Sequence, residues 1–461
     1  MRLLIQQKFN SMDTSQLKSV VTDLIISPQG ENYKLAKKTR DMFMTVCLIM
    51  VMSLFSISNL KAQSLEDYQQ EAAQNNPELY ALFLNYNSEL EQRTITGTLP
   101  DPEVAFAYFI SPNNTMPGSQ KASISLTQMF PWFGSLADKR AISTAMARMK
   151  FEEFQERRNR LFFQMEELWG ELYVVERNIE SVEANLSIIN NLLNLSFQQY
   201  ENGLTSQVDV LRAQIEQEDL KTALALLQDN KNLLIQEFNE LRNTDPNTKV
   251  EAPSELKESG NIPEYGLDQI YQNPKLSMLR YTKDASATAI DLAKKDGRPE
   301  FGVGLDYMAS GTFSDIATFS NNAQDELIAR ASIRIPLFRN KYRAKVRQAK
   351  WNLNAVQQDI TTLENQLETS YLTALKDKKD AERRFELYNS TQIQRIEQAV
   401  RILIDSYSTS NVGFEEVLRL QRKLLDYQLK RDQARADEFI ALSYIGYLYG
   451  VNNITPNEIN Y

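Results

Sequence analysis

Fifteen residues near the middle of the chain recur near its end. Residues 200–214 read YENGLTSQVDVLRAQ, and residues 407–421 read YSTSNVGFEEVLRLQ. Five positions agree at an offset of 407 − 200 = 207: Tyr200/Tyr407, Val210/Val417, Leu211/Leu418, Arg212/Arg419 and Gln214/Gln421. In each copy a heptad-like run leads in, a stretch of small polar residues interrupts it, and a second apolar-periodic run leads out. Each copy therefore reads as the tip of a helical hairpin. Two such hairpins commit the chain to a duplicated architecture in which both halves follow one plan.

Further markers extend the duplication. Asn76-Pro77-Glu78-Leu79 is matched by Asn273-Pro274-Lys275-Leu276, and Pro102 by Pro299, both at an offset of 197. The tips are ten residues further apart than these markers, which places an insertion between them, expected in the second outer loop. After each proline come two segments of period two, the signature of strands. In the first half Val104, Phe106, Tyr108 and Ile110 share one face, followed by Ala122, Ile124 and Leu126. In the second half Phe301, Val303, Leu305 and Tyr307 are followed by Ala329, Ala331, Ile333 and Ile335, with Arg330, Ser332 and Arg334 opposite. Such strands fit either a soluble sheet packed by one face or a transmembrane barrel, apolar to lipid and polar to a lumen. Four strands cannot close a barrel alone, so the second reading requires oligomerisation.

Between Leu161 and Tyr200 a 4,3,4,3 spacing runs through Met165, Leu168, Leu172, Val175, Ile179, Val182, Leu186, Ile189, Leu193 and Ser196, the pattern of a coiled-coil seam. The return arm repeats it from Leu220 to Leu241, and a similar seam runs from Val417 to Leu448; the arm over 341–406 is less regular. No proline interrupts 132–245 or 337–455. An unbroken helix from Gly134 to Tyr200 would reach ~100 Å, far beyond the needs of a globular core.

Composition narrows the function classes. The chain has no histidine and a single cysteine, Cys47, which removes the commonest general base, the commonest transition-metal ligand and any internal disulfide. A net charge of −9 argues against nucleic acid as a partner. No cofactor, metal site or catalytic residue is expected. Residues 34–40 (KLAKKTR) and the apolar run 42–60, followed by KAQS, predict a signal peptide cleaved near Ala62 or Gln63, with Cys47 removed.

Strand pairs feeding helix pairs of this length resemble the TolC-like outer-membrane efflux family over residues 64–450. The resemblance is carried by NPEL and NPKL, the strand-to-helix corners SLTQMFPWFG and SIRIPLF, the two tip segments, and the ending DEFIALSYIGYLYG. It implies an α+β membrane protein: a duplicated β-hairpin plus long helical hairpin, with three copies forming a twelve-stranded barrel in the outer membrane and an α-helical tunnel in the periplasm. It further implies no enzymatic activity and a passive exit duct joined through a periplasmic adaptor to an inner-membrane pump. The boundaries expected are 1–63 for the extension and signal peptide, 64–242 for the first repeat, 243–272 for an equatorial linker, 273–450 for the second repeat and 451–461 for a tail.

By the same resemblance the tips meet the adaptor through Gly-hydrophobic pairs. Gly203-Leu204 matches directly; in the second copy Ser410 stands at the aligned position and the nearest pair is Gly413-Phe414. Turn geometry alone would also explain the glycines. A periplasmic gate is implied at Tyr407, Asp209 and Glu416, with Arg419 replacing a second acidic residue and bridging Glu416 or Asp209, and Val412 at the family's arginine position. Solvated surface charge is the plainer reading of any one of these. The QMFPWFG corner resembles the heavy-metal branch that serves resistance–nodulation–division pumps; drug efflux and type I secretion share the architecture. A periplasmic coiled-coil scaffold is the alternative of another class, and it leaves the four strands unexplained.

Overall fold

The structure is a computed structural model describing residues 64–111, 114–115, 118–257, 266–311, 325–409 and 412–451. The expected signal peptide with Cys47, the position of Ser410 and nearly all of the tail fall outside these residues. No helix among the described residues is long and apolar enough to cross a membrane.

Helix α1 (Leu65–Asn75) opens on a capping box in which Ser64 and Asp67 satisfy each other's backbone amides. Asn76 then caps α2 (Pro77–Gly97), whose first residue is the proline of NPEL. Strands β1 (Glu103–Tyr108), the two-residue β2 (Asn114–Thr115) and β3 (Gly118–Phe130) follow. Gly134, at φ +80, turns the chain into α3 (Ser135–Glu201), 67 residues long. The return helix α4 (Gln207–Leu241) is capped by Ser206.

The second half repeats the plan. A 3-10 turn (Leu267–Gln272) precedes α5 (Pro274–Lys295), capped by Asn273, and strands β4 (Glu300–Gly311) and β5 (Glu326–Arg334) follow. Helix α6 (Arg339–Glu386) passes through a π-turn (Leu387–Gln392) into α7 (Ile393–Ser408), and α8 (Phe414–Tyr449) returns, stopped by Gly450 at φ +67. The irregularity of this arm in sequence has a local cause. From Tyr388 to Ile393 the apolar seam advances five residues, where an α-helical seam advances three or four.

The sheet is antiparallel, in the order β1-β3-β4-β5, with β2 adding one short rung to β3. Pairing of β3 with β4 joins the two repeats. Register aligns Phe106, Ile124, Tyr307 and Leu327 in one row and Val104, Leu126, Leu305 and Ala329 in the next. The large side chains of both rows are exposed, Phe106 at 77% and Leu327 at 72%. The other face is polar: Arg330 pairs with Asp306 at 3.0 Å and donates to Thr127 at 3.1 Å, and Arg334 pairs with Glu300 at 2.7 Å. It is also the crowded face, because a Cβ on Gly302 would collide with Ser332 Oγ and Met129 Sδ. An exposed apolar face opposite a polar, crowded one is the distribution of a barrel wall segment.

Beyond the sheet the helices form two rows of four. Contacts run α2–α3–α5–α6 next to the strands and α4–α3–α8–α6/α7 further away. Only α3 and the α6–α7 run belong to both rows. The other struts are spliced. Asn76 Nδ2 donates to the Leu241 carbonyl at the end of α4 (3.1 Å) while its Oδ1 accepts from Glu78 and Leu79 at the start of α2. Asn273 does the same between α8 and α5, donating to the Leu448 carbonyl (2.9 Å) and accepting from the Lys275 amide. Residues 243–257, expected as a linker, include Val250 and Leu256, which are buried in the cluster with Trp169 and Phe439. Ile270 of the 3-10 turn is likewise fully buried.

Candidate functional site at the hairpin tips

The first tip is a left-handed turn. Gly203 sits at φ +70, its amide donating to the Tyr200 carbonyl (3.0 Å), and the Leu204 amide reaches back to Gln199 (2.8 Å). Only glycine adopts this conformation without strain. Nothing lies within 4 Å of a Cβ placed there, and the Leu204 side chain is 61% exposed. The second tip is built differently. Gly413 has φ −73, ordinary for any residue, and Phe414 is only 1% exposed. The Phe414 ring packs 5.2 Å from Tyr407, in a cluster with Val417, Leu418, Val182 and Leu192. The two Gly-hydrophobic pairs are thus unequal: one presents its apolar side chain outward and the other buries it.

Tyr407 and Asp209 come together. Tyr407 is 2% exposed and its carbonyl accepts from Gln199 Nε2 at 2.8 Å. Its hydroxyl is buried toward Thr205, whose own hydroxyl bonds Asp209. Burial pushes the Tyr407 phenol above its ordinary range, and the Asp209 charge adds to this. Glu416 and Arg419 lie apart from that group as an exposed pair on α8. Arg212, the repeat equivalent of Arg419, pairs in the same way with the acid three residues before it, Asp209 at 3.4 Å. It also reaches Glu415 across to the second hairpin at 3.4 Å.

Several tip residues carry no separate signal in the sequence. Gln421 donates to Asn185 at 2.6 Å, both side chains being buried, and Arg422 donates to buried Glu216 at 2.6 Å. These bonds join α3 and α4 to α8, so three helices are tied by polar contacts just inside the tips. Gln421 was visible only as a repeated letter; its partner lies 236 residues away. Among the described residues no group of three or more acidic or cysteine side chains could hold a metal ion.

Residues 68–243 match a family profile described as outer membrane efflux protein. No curated protein matches the chain in sequence. The fold is similar to that of the outer membrane protein VceC from Vibrio cholerae (TM-score 0.70, 17% identity, 83% of this chain and 95% of that chain). It is similar to the Campylobacter jejuni CmeC outer membrane channel (TM-score 0.71, 12% identity, 84% and 85%). It is also similar to CusC, a protein studied for transmembrane channel formation (TM-score 0.72, 15% identity, 85% and 95%). The outer membrane efflux profile thus matches the first repeat, and the fold shared with these outer membrane channels runs through both repeats.

Proposed function

We propose that three copies of this chain close into a twelve-stranded barrel continued by a helical tunnel, and that the assembly is the exit duct of a tripartite efflux system. The observation that carries this reading is the sheet. It has one exposed apolar face, one polar face and two unpaired edges, β1 and β5. Unpaired edges are not tolerated in lipid, so further copies must complete the wall. The tips meet a periplasmic adaptor, which couples the duct to an inner-membrane pump. Gly203 and Leu204 form the exposed contact, Gly413 borders it, and Phe414 shapes it from within. Tyr407, Asp209, Glu416 and Arg419 belong to the periplasmic constriction, where Arg212 and Arg422 add links between the hairpins. The pump class is resistance–nodulation–division and the cargo metal ions, a reading supported by the resemblance of the QMFPWFG corner.

Gly203 provides the test. Within the protomer a side chain there meets open space, so steric cost falls on whatever docks. Asn tolerates the left-handed region and adds bulk, whereas Val adds bulk and backbone strain of roughly 1–2 kcal/mol. Gly203→Asn and Gly203→Val should both impair growth on an exported substrate while the level of assembled protein in the outer membrane stays normal. Unchanged resistance in both variants would remove the tip contact. Growth of a channel-deleted strain across metal salts and drugs identifies the cargo, and sensitivity to drugs alone would overturn the metal reading.

A further inference from the structure

The two ends of the helical row carry opposite unpaired charge. At one end α6 packs on α5, and along its first turns Val346, Ala349, Leu353 and Val356 are half-buried on one face, which leaves the opposite face bare. That far face carries Arg343, Arg347 and Trp351, spaced by four residues and all exposed, Trp351 at 70%. Neither arginine has a carboxylate partner among the described residues. Residues 339–350 hold six basic side chains and no acidic one, at a helix N-terminus where the macrodipole disfavours cations. Charge so placed calls for an anionic surface beside it.

At the other end α2 packs on α3, and its far face exposes Leu84, Glu91 and Ile95. Glu91 has no cationic partner among the described residues. The same holds for Asp101 and Glu103, which follow it into β1. The heights agree as well. Arg343 and Arg347 lie about 6 and 12 Å along α6 from its sheet end, and Glu91 lies about 9 Å along α2 from its sheet end. Helix α2 leads into edge strand β1 and α6 leads out of edge strand β5. Pairing of β5 with β1 of a second copy therefore brings these two helix faces side by side.

We infer that the seam between copies is electrostatically keyed, with Arg343 and Arg347 of one copy straddling Glu91 of the next and Trp351 packing on Leu84. This rests on the assembly reading above and adds to it a partner surface and a direction. Each copy presents a basic flank to the acidic flank of its neighbour, so the contact is heterologous and closes a ring rather than a two-fold dimer. A seam of this kind also discriminates against pairing like flanks, because arginine facing arginine is repelled.

The experiment is a charge swap on the full chain in detergent. Arg343→Glu with Arg347→Glu should lower the assembled fraction at least several-fold, and so should Glu91→Arg. All three together should recover most of the wild-type assembly, which separates pairing from misfolding. A second variant set, Leu84→Cys with Trp351→Cys in a Cys47→Ser background, should give a disulfide-linked ladder on oxidation. The two positions lie at opposite ends of one protomer, so every such link is between copies. Failure of the triple variant to recover, or absence of the ladder from a chain that still assembles, overturns this seam and leaves the channel reading standing. A wild-type chain that stays monomeric overturns both.

Discussion

Asn273 occupies the splice between α8 and α5, and replacing it separates two contributions. Its Oδ1 caps α5 and its Nδ2 satisfies the Leu448 carbonyl at 2.9 Å, in a position only 2% exposed. Losing a cap costs about 1 kcal/mol, and leaving a buried carbonyl without a donor costs about 1–3 kcal/mol. Asn273→Ala loses both, about 2–4 kcal/mol. Asn273→Ser keeps a capping oxygen and loses only the donor, about 1–3 kcal/mol. The matched change Asn76→Ser should cost less, because its bond to Leu241 is longer, at 3.1 Å, and only part-buried. Hydrogen exchange read on peptides spanning 274–280 reports the local opening directly. The expected acceleration is roughly 5- to 160-fold for Asn273→Ser and larger for Asn273→Ala, taking 1.36 kcal/mol per decade. Wild-type exchange in the serine variant would show that the Leu448 bond contributes nothing and that the splice is held by apolar packing alone.

Two further outcomes follow from buried groups. Burial pushes the Glu152 carboxyl up to about 7, so between about 4.5 and 7 the folded chain holds a proton that the unfolded chain releases. Stability therefore falls as pH rises through that window. Glu152→Gln should flatten the dependence of the urea midpoint between pH 5 and 8, and an undiminished slope would place its source elsewhere. Phe414→Ala should cost about 3–5 kcal/mol at the second tip, seen as faster exchange over 407–418 with the sheet-proximal helices unchanged; equal acceleration at both ends of the helices would contradict a local role.

The duplication was legible because it is written in residues whose geometry is used twice. Asn76 and Asn273 cap, Pro77 and Pro274 begin helices, and Arg212 and Arg419 each reach back three residues to an acid. Strand alternation was legible for the same reason, since one face had to stay apolar. Pairings between distant segments were not. The β3–β4 junction leaves no local trace, and the burial of residues 243–257 depends on Trp169 and Phe439, which those residues do not announce. The glycines at the tips show the limit most clearly. Gly203 and Gly413 look alike in sequence, yet only the first is at positive φ. Whether the apolar residue that follows is presented or buried was decided by Tyr407, which lies seven residues before Phe414.

The offsets between repeats also explain where the protomer is least uniform. Between Pro102/Pro299 and Pro131/Pro336 the offset grows from 197 to 205, so eight of the ten extra residues lie around the outer strands. The last two lie in the descending arm, since the tips stand at 207. The second strut accordingly runs from Arg339 to Ser408, 408 − 339 + 1 = 70 residues, against 67 in α3, and the π-turn takes up about one residue of the excess. Its surroundings match this. On the sheet side of the π-turn Ile360, Leu367, Tyr371 and Ala374 pack against Ile445 and Leu448, and on the tip side Ile393, Ile396 and Val400 pack against Leu424. Between the two clusters α6 presents Lys376, Asp377, Asp380 and Arg384 to a cavity of about 620 Å³ shared with Asp437 and Tyr444. Helix α3 has no such gap: its buried side chains run from Phe151 through Ile179 to Leu192. Over 376–392 the second hairpin is therefore held less by large aliphatic side chains than by buried Ala381, the Arg384–Asp437 pair at 2.8 Å and the Tyr388 and Tyr427 rings, 5.4 Å apart.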